Sequence, residues 1–201
     1  MSELAVLHAV RLKGRVSLAD LAATLGEDAD DVAGVVDRLT ESGLLIDGKA
    51  LRVSAEGRVR LDALLAAERK HIDTAALAAA YAEFRAVNAD FKALVTDWQL
   101  KDGQPNTHDE TAYDAAILAR LDDVHQRVAP IVSAAAAQVP RLSRYFAKLQ
   151  AALDNVHRGD AAWLSRPIID SYHTVWFELH EELIVAADLT RESEAKSGDA
   201  Q

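Results

Sequence analysis

The sequence predicts a mainly α protein in two parts: a short, glycine-punctuated helical unit with one β-hairpin, then an antiparallel helical bundle. Three observations predict it. Alanine supplies 39 of the 201 residues, 27 of them beyond residue 70, and Ala is the best helix former because it loses no side-chain entropy. Apolar residues recur at helical spacing, while alternating runs are few. The punctuation also changes along the chain. Six of the nine Gly lie at or before Gly57, all four Pro at or beyond Pro105, and all three Trp at or beyond Trp98. The expected division is a first domain over residues 1–66, a bundle over 67–190 and a polar, flexible tail over 191–201.

In the first part, Leu4, Val6, Leu7 and Val10 predict a short helix that stops near Lys13-Gly14. Ser17 caps a second helix, in which Leu18, Leu21, Ala22 and Leu25 share one face and Gly26 ends the run. Asp28 or Asp30 caps a third, with Val32, Val35, Val36 and Leu39 inward and Gly43 at its end. Two brief apolar runs, Leu44-Leu45-Ile46 and Ala50-Leu51-Arg52-Val53, flank Asp47-Gly48 and predict a β-hairpin with a tight turn. Ser54-Ala55-Glu56-Gly57 opens a linking helix over residues 54–70.

Three helices, a hairpin and a helix is the order of a winged helix-turn-helix. The stretches SLADLAATLGEDADDVAGVVDRLTESGLL and IDGKALRVSAEGRVRLDALL resemble MarR-like winged-helix regulators over residues 3–66, with an unusually short wing. The resemblance implies a third helix in the DNA major groove and backbone contacts from the wing. The third helix departs from that pattern. It begins Glu27-Asp28-Ala29-Asp30-Asp31, continues through Asp37 and Glu41, and has Arg38 as its only basic residue. Phosphate repels such carboxylates, although they suit the positive end of the helix dipole. Candidate DNA-binding residues are therefore Arg38, Lys49, Arg52 and Arg58, which grip phosphates without reading bases. Arg11, Lys13, Arg15 and Arg60 add to the same balance. An acidic third helix docking on a protein partner is the alternative.

In the second part, Leu77, Tyr81, Phe84, Asn88, Phe91, Val95 and Trp98 alternate spacings of four and three, the mark of a long helix with a narrow seam. That seam serves either a homodimer or packing within the bundle. Lys101 to Thr107 reads as a polar loop, with Thr107 and Glu110 as a capping box for the next helix. Ile117, Leu121, Val124, Val128 and Ile131 continue the rhythm, and Pro130 is expected to kink or break it. Pro140 starts a helix bearing Leu142, Tyr145, Leu149, Leu153 and Val156. Pro167 starts the last long helix, to Asp188.

The last helix carries Asp170, His173, Phe177, His180, Glu181 and Ile184 on one mixed stripe. That stripe either lines a polar pocket for a small-molecule effector, with Trp98, Tyr113, His173, Trp176 and His180 as ligand-binding candidates, or packs as ordinary core with each His satisfied by a neighbouring Asp. The stretch from Asp97-Trp98-Gln99 through Tyr113-Asp114 to Arg166-Pro167-Ile168 resembles helical segments that accompany winged helices in actinobacterial proteins, some joined to phosphoenolpyruvate-utilising enzymes. It assigns no residue a role. Asp precedes His by three residues in Asp122/His125, Asp154/His157 and Asp170/His173, a spacing that suits local ion pairs better than a metal.

Charge and composition exclude several classes. The net charge is −10, split −2 over residues 1–70 and −8 over 71–201, so a DNA-facing surface belongs in the first part. The sequence pI of 5.1 is well short of a generally basic nucleic-acid binder. The absence of Cys excludes a disulfide scaffold, an iron–sulfur cluster and a thiolate zinc site, and agrees with a reducing cytoplasm. No apolar run reaches membrane-spanning length, and Met1-Ser2-Glu3 does not begin a signal peptide. No phosphate-binding, nucleophile-elbow or zinc-protease motif occurs, so neither an enzyme nor a cofactor is expected.

Overall fold

A computed structural model describes residues 1–189. They form two compact units that part between Ile72 and Asp73. The tail expected at 191–201 lies outside the described residues.

The first unit contains α1 (Glu3–Lys13), α2 (Leu18–Leu25), α3 (Ala29–Glu41), β1 (Leu45–Ile46), β2 (Arg52–Val53) and α4 (Ala55–Arg69). Each helix begins on a capping oxygen. Ser2, Ser17, Asp28 and Ser54 accept from the N–H groups of Ala5, Asp20, Asp30 and Gly57 and so satisfy donors the helix itself leaves orphaned. Val6, Leu7, Val10, Leu21, Val32 and Leu61 form the centre of the core. Leu18, by contrast, is 37% exposed. It follows the cap directly, and α2 turns Leu21 and Ala22 inward instead.

The hairpin pairs Leu45 with Val53 and Ile46 with Arg52. Residues 47–51 connect the strands, so the tight Asp47-Gly48 turn does not form. Gly48 is absent from the positive-φ residues that a two-residue type I′ turn demands. Leu51 pairs with Val16 in place of extending the hairpin, its N–H 2.8 Å from the Val16 carbonyl. Both side chains are buried, and that burial draws the chain away from a closer turn.

The second unit contains α5 (Thr74–Gln99), β3 (Leu100–Lys101), β4 (Gln104–Pro105), α6 (Thr111–Gln138), a 3-10 turn (Pro140–Ser143), α7 (Arg144–His157), α8 (Ala162–Ser165) and α9 (Tyr172–Ala186). It is a helical bundle in which α5 packs along α6, while α9 meets α5, α7 and α8. No described helix is long and apolar enough to cross a membrane. All seven seam residues of α5 are buried, so this seam is covered within the chain's own bundle.

Five local expectations change. The two-residue turn lies at Asp102-Gly103, both at positive φ, where a polar loop was expected. Thr107 caps nothing: α6 begins at Thr111 behind Glu110, which makes no capping bond. Asn106 ties the intervening segment to the end of α5 through its N–H to the Gln99 carbonyl and its side-chain amide to the Trp98 carbonyl. Helix α6 runs on through Pro130, and Pro140 opens a 3-10 turn that precedes α7. The last helix starts at Tyr172, not Pro167. Ser171 caps it, and Ile168, at φ 79° and 99% exposed, breaks the helical path before it.

Candidate functional site

The first unit carries a cavity of about 310 Å³ lined by Arg11, Arg52 and Arg58. Three elements bring these arginines together. Arg11 stands in the last turn of α1, Arg52 on β2 beside its pair Ile46, and Arg58 in the first turns of α4. Of Val10, Ile46 and Val53 in its lining only Ile46 is exposed, and Ser54 and Ala55 bring the start of α4 to the cavity.

The position of α4 depends on Ser54 and Gly57. The buried Ser54 hydroxyl donates to the Gly43 carbonyl at 2.6 Å and accepts from the Gly57 N–H at 2.9 Å. Its backbone N–H reaches the Leu44 carbonyl at 3.1 Å. A Cβ at Gly57 would lie 2.0 Å from that same carbonyl oxygen, so only glycine lets α4 approach the chain before β1 this closely.

The four candidate DNA-binding residues do not form one group. Arg52 and Arg58 share the cavity. Arg38 lines a separate depression with Met1, Glu3 and Leu39. Lys49 is exposed on the hairpin connection and lines neither. The solvent face of α3 exposes Asp30, Asp31, Asp37 and Glu41 beside Arg38, so the positive residues are interrupted at that helix.

The five candidate ligand residues also separate. Trp176 and His180 pack into the α5–α9 contact. The Trp176 indole donates to Asn88 Oδ1 at 2.9 Å, and His180 Nε2 shares a hydrogen bond with the Tyr81 hydroxyl at 3.1 Å. Phe91 and Phe84 close on Trp176 with ring centroids 4.4 and 5.1 Å away. His173 is half-buried, 6.1 Å from the Phe91 ring. At the hairpin end, Trp98 packs at a tilt against His108 with ring centroids 4.4 Å apart, and the Tyr113 hydroxyl donates to the Asp97 carbonyl at 3.2 Å. Trp98, Trp176 and His180 are buried, while Tyr113 and His173 are half-buried.

Comparison of the chain with family models, curated proteins and solved structures finds no match.

Two of the three Asp–His pairs find partners elsewhere, those of His125 and His157. His157 Nε2 reaches across from α7 to Asp122 on α6 at 2.8 Å. His125 bonds the Tyr172 hydroxyl and Gln150, and Gln150 donates to Asp154. Burial lowers the His125 pKa below its ordinary value and raises that of Tyr172. Asp170 pairs with Lys148 at 2.8 Å. Among the described residues no group of His and carboxylate side chains is arranged to hold a metal.

Ion pairing differs between the units. In the bundle, Lys101, Arg120, Arg127, Arg141, Arg144 and Lys148 each have a carboxylate partner. In the first unit, Arg60 makes a bidentate pair with Glu3, both contacts at 2.9 Å. Arg11, Arg15, Arg38, Lys49, Arg52 and Arg58 have no carboxylate partner among the described residues.

Sequence reasoning missed two groupings. Nothing in the spacing of Arg11, counted only as a basic residue after the first helix, places it beside Arg52 and Arg58. The second is Glu182, fully buried between Arg141 and Arg144, with Tyr145 donating to it at 3.1 Å. A signal existed for that one: Tyr172, Val175, Leu179, Glu182 and Ala186 follow a 3-4-3-4 rhythm, which puts a carboxylate on the apolar stripe.

Proposed function

We propose that this chain is a winged-helix, DNA-binding transcription regulator whose first unit grips phosphates and whose bundle supplies a scaffold. The order of helix, bridging residue, two helices and hairpin supports the winged reading and its MarR-like resemblance. The observation that carries it is the set of six cations in the first unit without a carboxylate partner among the described residues, where most described cations of the bundle are paired. Unneutralised Lys and Arg gain from displacing counterions on a duplex. Lys49, Arg52 and Arg58, with Arg38 apart from them, make backbone contacts. The carboxylates of α3 disfavour base reading, so recognition rests on phosphate and groove shape. The regulator acts in the cytoplasm as a homodimer, through a surface other than the α5 seam.

Anisotropy of a labelled duplex at about 50 and 200 mM salt tests this reading. Four phosphate contacts lower affinity by about a hundredfold over that range, and Lys49→Gln or Arg52→Gln each reduces the salt slope by about one. No binding at the lower salt ends the proposal.

The acidic face of α3 favours a second reading, a protein-interaction module that docks Asp30, Asp31, Asp37 and Glu41 on a basic partner. Reversing Asp30 and Asp31 to Lys separates the two: it strengthens duplex binding under the first reading and abolishes partner capture under the second.

A further inference from the structure

We propose that the cavity framed by Arg11, Arg52 and Arg58 seats the phosphoryl group of a small organic phosphate. The proposal does not rest on the DNA reading.

Three arginines line one concavity of about 310 Å³, and among the described residues no acidic one lines it. None of the three has a carboxylate partner among the described residues. Guanidinium is planar and matches a phosphate bidentately, whereas three of them without counter-charge repel one another. An anion with several oxygens relieves that repulsion and satisfies donors from three directions. The start of the 15-residue helix α4 adds to the same field. Gly57 and Arg58 direct their N–H groups to Ser54, which leaves those of Ala55 and Glu56 for a ligand or solvent. Glu56 is exposed and lies outside the cavity lining.

Shape and lining favour a small molecule over a duplex. The volume exceeds that of a phosphoryl group and leaves room for a short organic body. Ile46, 43% exposed, offers apolar surface in the lining, while Val10 and Val53 are buried. A backbone phosphate makes no use of that side chain, while a small hydrocarbon or aromatic body covers it.

The test uses the full chain, with phenyl phosphate, phenol and inorganic phosphate as probes and ¹H–¹⁵N spectra as readout. Phenyl phosphate should displace the Ala55 and Glu56 amide signals saturably, with a dissociation constant near or below about 1 mM. Inorganic phosphate should bind the same site several-fold more weakly, and phenol should leave the signals unmoved. Arg11→Gln and Arg58→Gln should each weaken phenyl phosphate about tenfold or more, while Lys70→Gln, outside the cavity, should leave it unchanged. All three positions are exposed, and unchanged spectra of the α1 and α3 core amides establish that the variants fold. Displacements that rise linearly with phosphate, or that persist in both arginine variants, overturn the proposal. A short duplex run in parallel separates the two sources of phosphate. Duplex binding that needs Arg11, with no saturable response to phenyl phosphate, assigns the cavity to the DNA backbone and refutes the small ligand. Phenyl phosphate binding without duplex binding upholds the cavity site and refutes the DNA reading.

Discussion

Two glycines in neighbouring helices of the first unit should respond in opposite directions to the same substitution. Gly34, inside α3, has only Arg38 Nη1 near a would-be Cβ, at 3.9 Å. Gly34→Ala therefore gains the helix preference of Ala over Gly, about 0.8–1 kcal/mol. Gly57, inside α4, gains the same preference but meets the Leu44 carbonyl oxygen at 2.0 Å and Val53 Cγ1 at 2.9 Å. That carbonyl is backbone and must withdraw by about 1 Å, an overpacking cost of about 1–3 kcal/mol. Withdrawal also stretches the 3.1 Å bond from the Ser54 N–H, adding about 1 kcal/mol. Gly57→Ala should thus destabilise the unit by about 1–3 kcal/mol net, leaving the two variants about 2–4 kcal/mol apart. Amide hydrogen exchange of α1 to α4 in the full chain reads this out, since each 1.4 kcal/mol changes protection about tenfold. All three Trp lie in the second unit, so their fluorescence checks that the bundle is unaffected. Exchange in Gly57→Ala as slow as in Gly34→Ala would refute the close approach of α4 to Leu44.

Three further outcomes concern the bundle. Asn88→Leu leaves the buried Trp176 indole N–H without its acceptor and should cost about 1–3 kcal/mol; an unchanged urea midpoint by Trp fluorescence contradicts that bond. Glu182→Gln removes the buried charge between Arg141 and Arg144 and should cost about 3–5 kcal/mol in the same measurement, whereas a loss below 1 kcal/mol, within the range of about 0–1 for exposed pairs, speaks against a buried pair. Burial holds the His125 pKa below its ordinary value, so the unfolded chain takes up a proton near pH 6.5 that the folded chain resists. Its contribution to stability is complete above about pH 6.5 and declines as pH falls toward the lowered value. Thermal melts between pH 7.5 and 5, at roughly half-unit steps, should show a shallower acid decline in His125→Gln than in the parent chain, and parallel declines exclude His125 as the cause.

Local signals in the chain carried much of the fold. Ser17, Asp28 and Ser54 cap their helices where short polar side chains precede an apolar period, because a capping bond spans only two or three residues. The α5 seam from Leu77 to Trp98 is buried as its spacing implies, since a helix presents every third or fourth residue to one side. Spacing was silent on what covers that seam. Turn geometry was legible only in part. Two Asp-Gly pairs occur, and the pull of Val16 on Leu51 denies the tight turn to Asp47-Gly48 while Asp102-Gly103 adopts it.

The candidate site depended on tertiary placement throughout. Residue types alone distinguished a helical chain with a cation-bearing first part from an acidic bundle, because propensity, capping and charge are properties of neighbours along the chain. Only the folded structure put Arg11 beside Arg52 and Arg58, set Arg38 apart from them, and closed Trp176 and His180 into the bundle interior. Each of those outcomes depends on contacts between residues roughly 40 to 100 positions apart, and no periodicity within a single element encodes which faces meet.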